Sequence, residues 1–184
     1  MRRLSMLAGA LVAGGAALGL GSVVQSTQNE KIAPRFGPIG ELAGYAWEFD
    51  GAWIDGTPLV ARNEFRSKMN GQFLEASTIA DDGEGPYERY LTIYSVQPGT
   101  STLMAHGFTF DGTVSTLEMQ RSTSDDGDAV YGATWSAGPA EMKQEIEMEG
   151  DSYAWRVWTR PAGTAVEWQQ IMDGAWKRAD KLDG

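Results

Sequence analysis

His106 is the single histidine among 184 residues, and cysteine is absent. These two counts remove much of the chemistry open to a small protein. A multi-histidine or cysteine-ligated metal centre, a thiol nucleophile and a disulfide framework are all excluded. No G-x-S-x-G turn occurs, so a serine triad would rest on His106 alone. The only glycine-rich candidate for a phosphate loop, Gly19-Leu20-Gly21, belongs to an apolar N-terminal run. Paired carboxylates could hydrolyse glycosides, but nearly all acidic residues fall in turns or on the polar faces of strands. Two acidic turns, Asp81 to Glu84 and Asp125 to Asp128, offer hard oxygens to a cation. They lack the spacing of a calcium loop and read as solvated hairpin turns, where Asp and Gly are the ordinary residues.

His106 therefore carries the chemical question. It lies between Met104 and Phe108 on an alternating strand and is expected on the apolar face. An imidazole there could anchor a ligand, act as a general base, or serve as an axial ligand to haem, the one cofactor the residues leave open. The plainer alternative is a histidine satisfied by a neighbouring hydroxyl or carbonyl, or one turned outward by a bulge. Otherwise no cofactor and no metal is expected. Gln72, Gln144, Gln170, Ser67 and Ser115 also fall at expected inward positions. Such neutral polar groups suit a pocket with a few orienting contacts, or bond to one another.

The elements that position these residues are strands. In Asn63 to Ile79 the pair Asn70-Gly71 interrupts two alternating runs, and Asn-Gly is the strongest short hairpin signal. It sets Met69 opposite Gln72, Ser67 opposite Leu74 and Phe65 opposite Ala76, with Arg66 facing Glu75 on the other side. Asp111-Gly112 is expected to turn the chain in the same way, placing Met104, His106, Phe108 and Phe110 on one face with Ser115, Leu117 and Met119. A turn at Gly150-Asp151 sets Met148 by Tyr153, Ile146 by Trp155, and Glu145 opposite Arg156. Tyr45, Trp47, Phe49 and Trp53 share one side of the opening strand, where Gly51 suggests a bulge or bend. Val166 to Met172 is expected as the last strand, with the tail fraying after Arg178. No long stretch has a helical period; one short helical turn is expected near Ile39 to Ala43.

Roughly eight to ten closely spaced strands predict an all-β chain, an antiparallel up-and-down barrel whose closure hides its sheet edges. Residues 42–178 are expected to form the barrel, 30–41 a Pro/Gly-broken linker and 179–184 a tail. Residues 1–29 read as an export signal: Arg2 and Arg3 precede an apolar run from Leu7 to Leu20, short for a membrane span. Periplasmic or secreted placement follows. The Sec route is preferred to the twin-arginine route, whose motif Leu4-Ser5-Met6-Leu7 matches in part. Membrane attachment is expected only through this segment, if it is uncleaved. The formal charge is −10, and loss of Arg2 and Arg3 would leave −12, so the body repels phosphate backbones and nucleic acid is not an expected partner.

The body resembles a family of exported bacterial lipocalin-like (calycin-type) barrel proteins of unknown function. The resemblance rests on Leu42-Ala43-Gly44 with Trp47, on Met69-Asn70-Gly71-Gln72-Phe73-Leu74-Glu75, on the aromatic strand Tyr87 to Tyr94 after a glycine-rich turn, and on Trp176-Lys177-Arg178. It implies a barrel that takes a small apolar ligand, and it supplies no catalytic residues. The expected function is binding of a small apolar or amphipathic molecule without catalysis, with Trp47, Phe65, Leu74, His106, Phe108 and Met119 on the interior wall. Two rivals remain: an isomerase- or cyclase-type enzyme using His106 in the barrel mouth, and a packed barrel that docks an unidentified envelope protein. The second would show as a contiguous exposed patch of Trp53, Tyr90, Tyr94 and Trp158.

Overall fold

A computed structural model describes residues 32–182. The expected export signal lies outside this range. Ten strands follow one another: β1 (Tyr45–Ala52), β2 (Pro58–Lys68), β3 (Phe73–Asp81), β4 (Tyr87–Val96), β5 (Leu103–Thr109), β6 (Val114–Thr123), β7 (Ala129–Ala137), β8 (Ala140–Glu149), β9 (Ser152–Pro161) and β10 (Gln169–Lys181). Each pairs antiparallel with its sequence neighbours, and β1 pairs with β10 to close the barrel. The final strand is longer than expected and starts later: Val166 to Trp168 lie in the connection before it, and Lys181 still pairs with Tyr45.

Alternation along each strand follows from the sequence. In β2 and β3 the observed pairs Phe65↔Ala76, Arg66↔Glu75 and Ser67↔Leu74 are those set by the Asn70-Gly71 turn. Met69, Asn70 and Gly71 all adopt positive φ there. Ile146↔Trp155, Met148↔Tyr153 and Glu145↔Arg156 likewise hold across β8 and β9. The ion pairs run along diagonals and down single strands: Lys68 reaches Glu75 at 3.1 Å, Arg66 reaches Glu64 at 2.9 Å and Arg156 reaches Glu147 at 2.6 Å. Long side chains span such offsets easily.

One end of the barrel is plugged. Pro34–Leu42 forms a 3₁₀ segment kinked at Gly37, and it buries Phe36, Ile39 and Leu42. The plug is tied down by Ala33 N–H donating to the Gly71 carbonyl (3.1 Å) and by the Tyr131 hydroxyl donating to the Phe36 carbonyl (3.3 Å). Behind it Trp47, Phe65, Tyr153 and Trp176 interlock, with Trp47 and Phe65 edge-on to Tyr153 and Trp176 stacked on it. The Trp47 indole N–H donates to the Leu42 carbonyl at 3.2 Å, joining plug to core.

Gly51 is not a bulge: Gly51↔Leu59 continues the regular β1–β2 register. Its missing side chain makes room for Phe49, whose ring would lie 2.5 Å from a Cβ at Gly51 and 2.9 Å from one at Gly174 on β10.

Candidate functional site

The β5–β6 hairpin departs from expectation, and the departure moves His106. The Thr109 N–H donates to the Thr113 carbonyl (3.0 Å) and the Gly112 N–H to the Thr109 carbonyl (2.9 Å), so Phe110, Asp111 and Gly112 form a three-residue loop. Asp111 holds it, accepting from the Thr113 N–H at 2.9 Å and from the Thr109 hydroxyl, while Gly112 takes the positive φ. A two-residue loop would have paired Phe108 with Ser115; the observed pair is Phe108↔Val114. Because side chains alternate with period two, this one-residue slip exchanges the faces.

Leu103 and Ala105 are buried, and His106 lies on the opposite, outer face beside Ile93 and Thr116. Its Nδ1 is 3.2 Å from the Thr116 hydroxyl. Phe108 is 41% exposed on the same outer face. These two expected wall residues are therefore corrected to the outside, as are Met104 and Phe110. A haem in the lumen, or a base in the barrel mouth, is not served by His106 from there.

The other four expected wall residues, Trp47, Phe65, Leu74 and Met119, are buried inside. Of the polar candidates, Gln72 is exposed at its turn and bonded to Arg35 (2.6 Å), while Gln170 pairs with the outward Trp158. Gln144 does face inward: it accepts from the Trp155 indole at 3.3 Å and its amide lies 3.8 Å from the Met119 sulfur. The suggested aromatic surface patch does not exist as one. Tyr94 is buried, Tyr90 points into the barrel, and Trp158 lies outside beneath Lys143.

The end opposite the plug has a different lining. Trp53, Tyr87, Arg89, Tyr90 and Trp155 converge there. A register shift in the β3–β4 pairing, between Thr78↔Tyr90 and Ile79↔Glu88, leaves Arg89 as an extra residue and turns it toward the tyrosines on both sides. Its Nε donates to the Tyr90 hydroxyl at 3.0 Å and its Nη1 to the Tyr87 hydroxyl. The guanidinium lies 5.2 Å from the Trp53 ring centre and 5.4 Å from that of Tyr90. Asp82 accepts from Tyr87 at 3.1 Å and stands 3.6 Å from Arg89. The acidic turn read as merely solvated thus sends one carboxylate back to the mouth. Burial works against the Arg89 charge, but the hydroxyls of Tyr90 and Tyr87 outweigh it and hold the group protonated more firmly than usual. Burial, then the bond to Asp82, pushes Tyr87 up.

Tyr90 and Trp155 stand on strands opposite one another in the ring and meet edge-on across the lumen, 6.5 Å between centres. Deeper, near the plugged end, Tyr94 projects from β4. Burial pushes its hydroxyl up to about 12, and among the described residues no hydrogen bond reaches it. The wall itself parts at one seam. β6 and β7 pair only from Gln120↔Gly132 to Thr123↔Ala129. Beyond that a cleft of about 490 Å³ opens, lined among others by Leu117, Ala133, Trp135 and Lys143.

No family model matches the chain, and no curated protein does. Its fold is that of a solved structure. The crystal structure of Rv2717c from M. tuberculosis is similar with a TM-score of 0.58, over 81% of this chain and 99% of that one, at 14% sequence identity. At that identity the likeness shows the barrel fold and nothing further.

Proposed function

We propose that this chain is an exported, lipocalin-like binding barrel that takes one small apolar or amphipathic molecule through its unplugged end and performs no catalysis. The observation that supports this reading is the contrast between the two ends. One is sealed by Phe36, Ile39 and Leu42. The other presents half-buried aromatic rings around a single cation, the mix of apolar wall and few polar groups that suits small-molecule sites. Native mass spectrometry of the exported protein, purified without detergent, tests it. A discrete extra mass that disappears on denaturation supports binding. A clean apo mass, together with no saturable change in tryptophan fluorescence as an apolar probe is added, overturns it.

One observation favours the packed-barrel rival. Ile54, Phe110, Val114 and Val166 are each more than half exposed, and all lie on or beside the connections at the unplugged end. A protein partner seated on that rim would cover them. An apo barrel that co-purifies with such a partner at fixed stoichiometry selects that reading.

A further inference from the structure

Six arginines among the described residues make ion pairs, and Arg89 is the anomaly among them. Its side chain is the least exposed, 18% against 28–39% for Arg62, Arg66, Arg156, Arg160 and Arg178. Yet its nearest carboxylate is the most distant, 3.6 Å against 2.6–2.9 Å for the other five. Withdrawing a charge from water is offset only by a well-placed counter-charge with its hydrogen bonds satisfied. Asp82 supplies one long contact, and it is shared with the Tyr87 hydroxyl.

The unused bonding capacity has one sign. Arg89 spends Nε on Tyr90 and Nη1 on Tyr87 and Asp82, and Nη2 has no partner among the described residues. The Tyr90 oxygen accepts from Arg89, which leaves its own proton to give away. Two N–H groups and one O–H, all donors, therefore converge at the mouth. An acceptor-only group carrying negative charge completes them, and the planar guanidinium fork matches a carboxylate. Asp81, Asp82, Glu84 and Glu88 stand on the same hairpin, and the chain carries −10 overall. That field opposes a doubly charged phosphate more than a single carboxylate. Trp53 beside the cation and Trp155 against Tyr90 supply apolar surface next to the head-group position.

Resting on the proposed binding function, we propose that the ligand is an amphipathic monocarboxylic acid, its carboxylate on Arg89 and Tyr90 and its apolar part against Trp53 and Trp155 at the mouth. The close counter-charge that Arg89 lacks is the one the ligand brings.

The test compares dodecanoic acid with 1-dodecanol on purified, delipidated protein at pH 7.5, by displacement of a fluorescent apolar probe. Charge-assisted hydrogen bonds are worth about 1.5–3 kcal/mol, so the acid should bind about 10- to 100-fold more tightly than the alcohol. R89M should bring the two together, and D82N, which removes the competing carboxylate, should tighten the acid. A purely structural Arg89–Asp82 pair would have the opposite signature, with D82N weakening the acid. Equal affinity of acid and alcohol for the unaltered protein overturns the inference and leaves the binding reading standing, a result that does not depend on whether R89M folds. Failure of both probes to displace or bind overturns the binding reading with it.

Discussion

Gly51→Ala should destabilise the barrel through a single side chain, that of Phe49. A Cβ at this position would lie 2.5 Å from the tip of the Phe49 ring and 3.0 Å from its neighbouring carbon. The ring has little room to retreat. Gly174 on β10 lies against the same Cε2 carbon, where a Cβ would be 2.9 Å away, and Trp176 stands 5.7 Å off. Overpacking of this kind costs about 1–3 kcal/mol. Set against it, replacing a strand glycine with alanine gains about 0.5–1 kcal/mol in backbone entropy. The net loss should be about 0.5–2 kcal/mol, read from the urea midpoint at constant m-value. Phe49→Leu removes the ring edge that causes the clash, so in that background Gly51→Ala should become neutral or stabilising. The four proteins form a double-mutant cycle with a coupling of about 1–2 kcal/mol. Equal costs of Gly51→Ala in both backgrounds would refute the reasoning, because the loss would then come from the backbone and not from Phe49.

Further outcomes are expected elsewhere. Burial raises the folded-state pKa of Tyr94 to about 12 and lifts that of Tyr153 well above its usual value, so the unfolded chain ionises first as pH rises. Stability is thus fully present below about pH 10 and is lost above it at about 1.4 kcal/mol per pH unit per tyrosine until the folded value is reached, and Tyr94→Phe should flatten the alkaline fall in thermal midpoint. Ile39→Ala, wholly buried in the plug, should cost about 2–5 kcal/mol in urea unfolding while leaving probe affinity at the far end unchanged. Arg156 contacts Glu147 at 2.6 Å, Asp173 at 3.3 Å and Glu149 at 3.7 Å. Arg156→Met should cost about 1 kcal/mol at neutral pH, because water reaches the partly exposed pair and screens it. The hydrogen bond from Arg156 holds Glu147 below the usual carboxylate range, so that difference should shrink as pH falls below about 4.5.

The hairpins whose turns are fixed by backbone conformation were legible in the sequence. Asn70-Gly71 forces left-handed backbone, and with it the pairing of Phe65 with Ala76. Asp111-Gly112 looked the same but was not, because the Asp111 carboxylate captures Thr109 and Thr113 and lengthens the loop by one. That single residue moved His106 from wall to surface. The mouth was not legible for a related reason. Arg89 follows Glu88 and precedes Tyr90 in a strand whose alternation sends an arginine outward, and only the β3–β4 register shift turns it back. Register shifts depend on both partner strands, so one strand read by itself cannot disclose them. Gly51 did give a signal, but a close approach and a bulge call for the same residue.

Nine of the ten seams of this barrel join strands adjacent in the chain, and only β1 and β10 meet from far apart, with Tyr45 opposite Lys181. Hairpins form in about 1–10 μs, whereas bringing distant segments together carries the loop-closure entropy of the whole intervening chain. Folding should therefore run as a row of local hairpins that lengthens into a curved open sheet, with ring closure as its late, slow event. The Leu182 N–H bonded to the Gly44 carbonyl at 2.9 Å sits beside that closing seam. Weakening it should slow folding far less than it speeds unfolding, since the contact is made after the barrier. The barrel's lifetime is set at this clasp, and whatever the clasp adds to that lifetime it adds equally to stability.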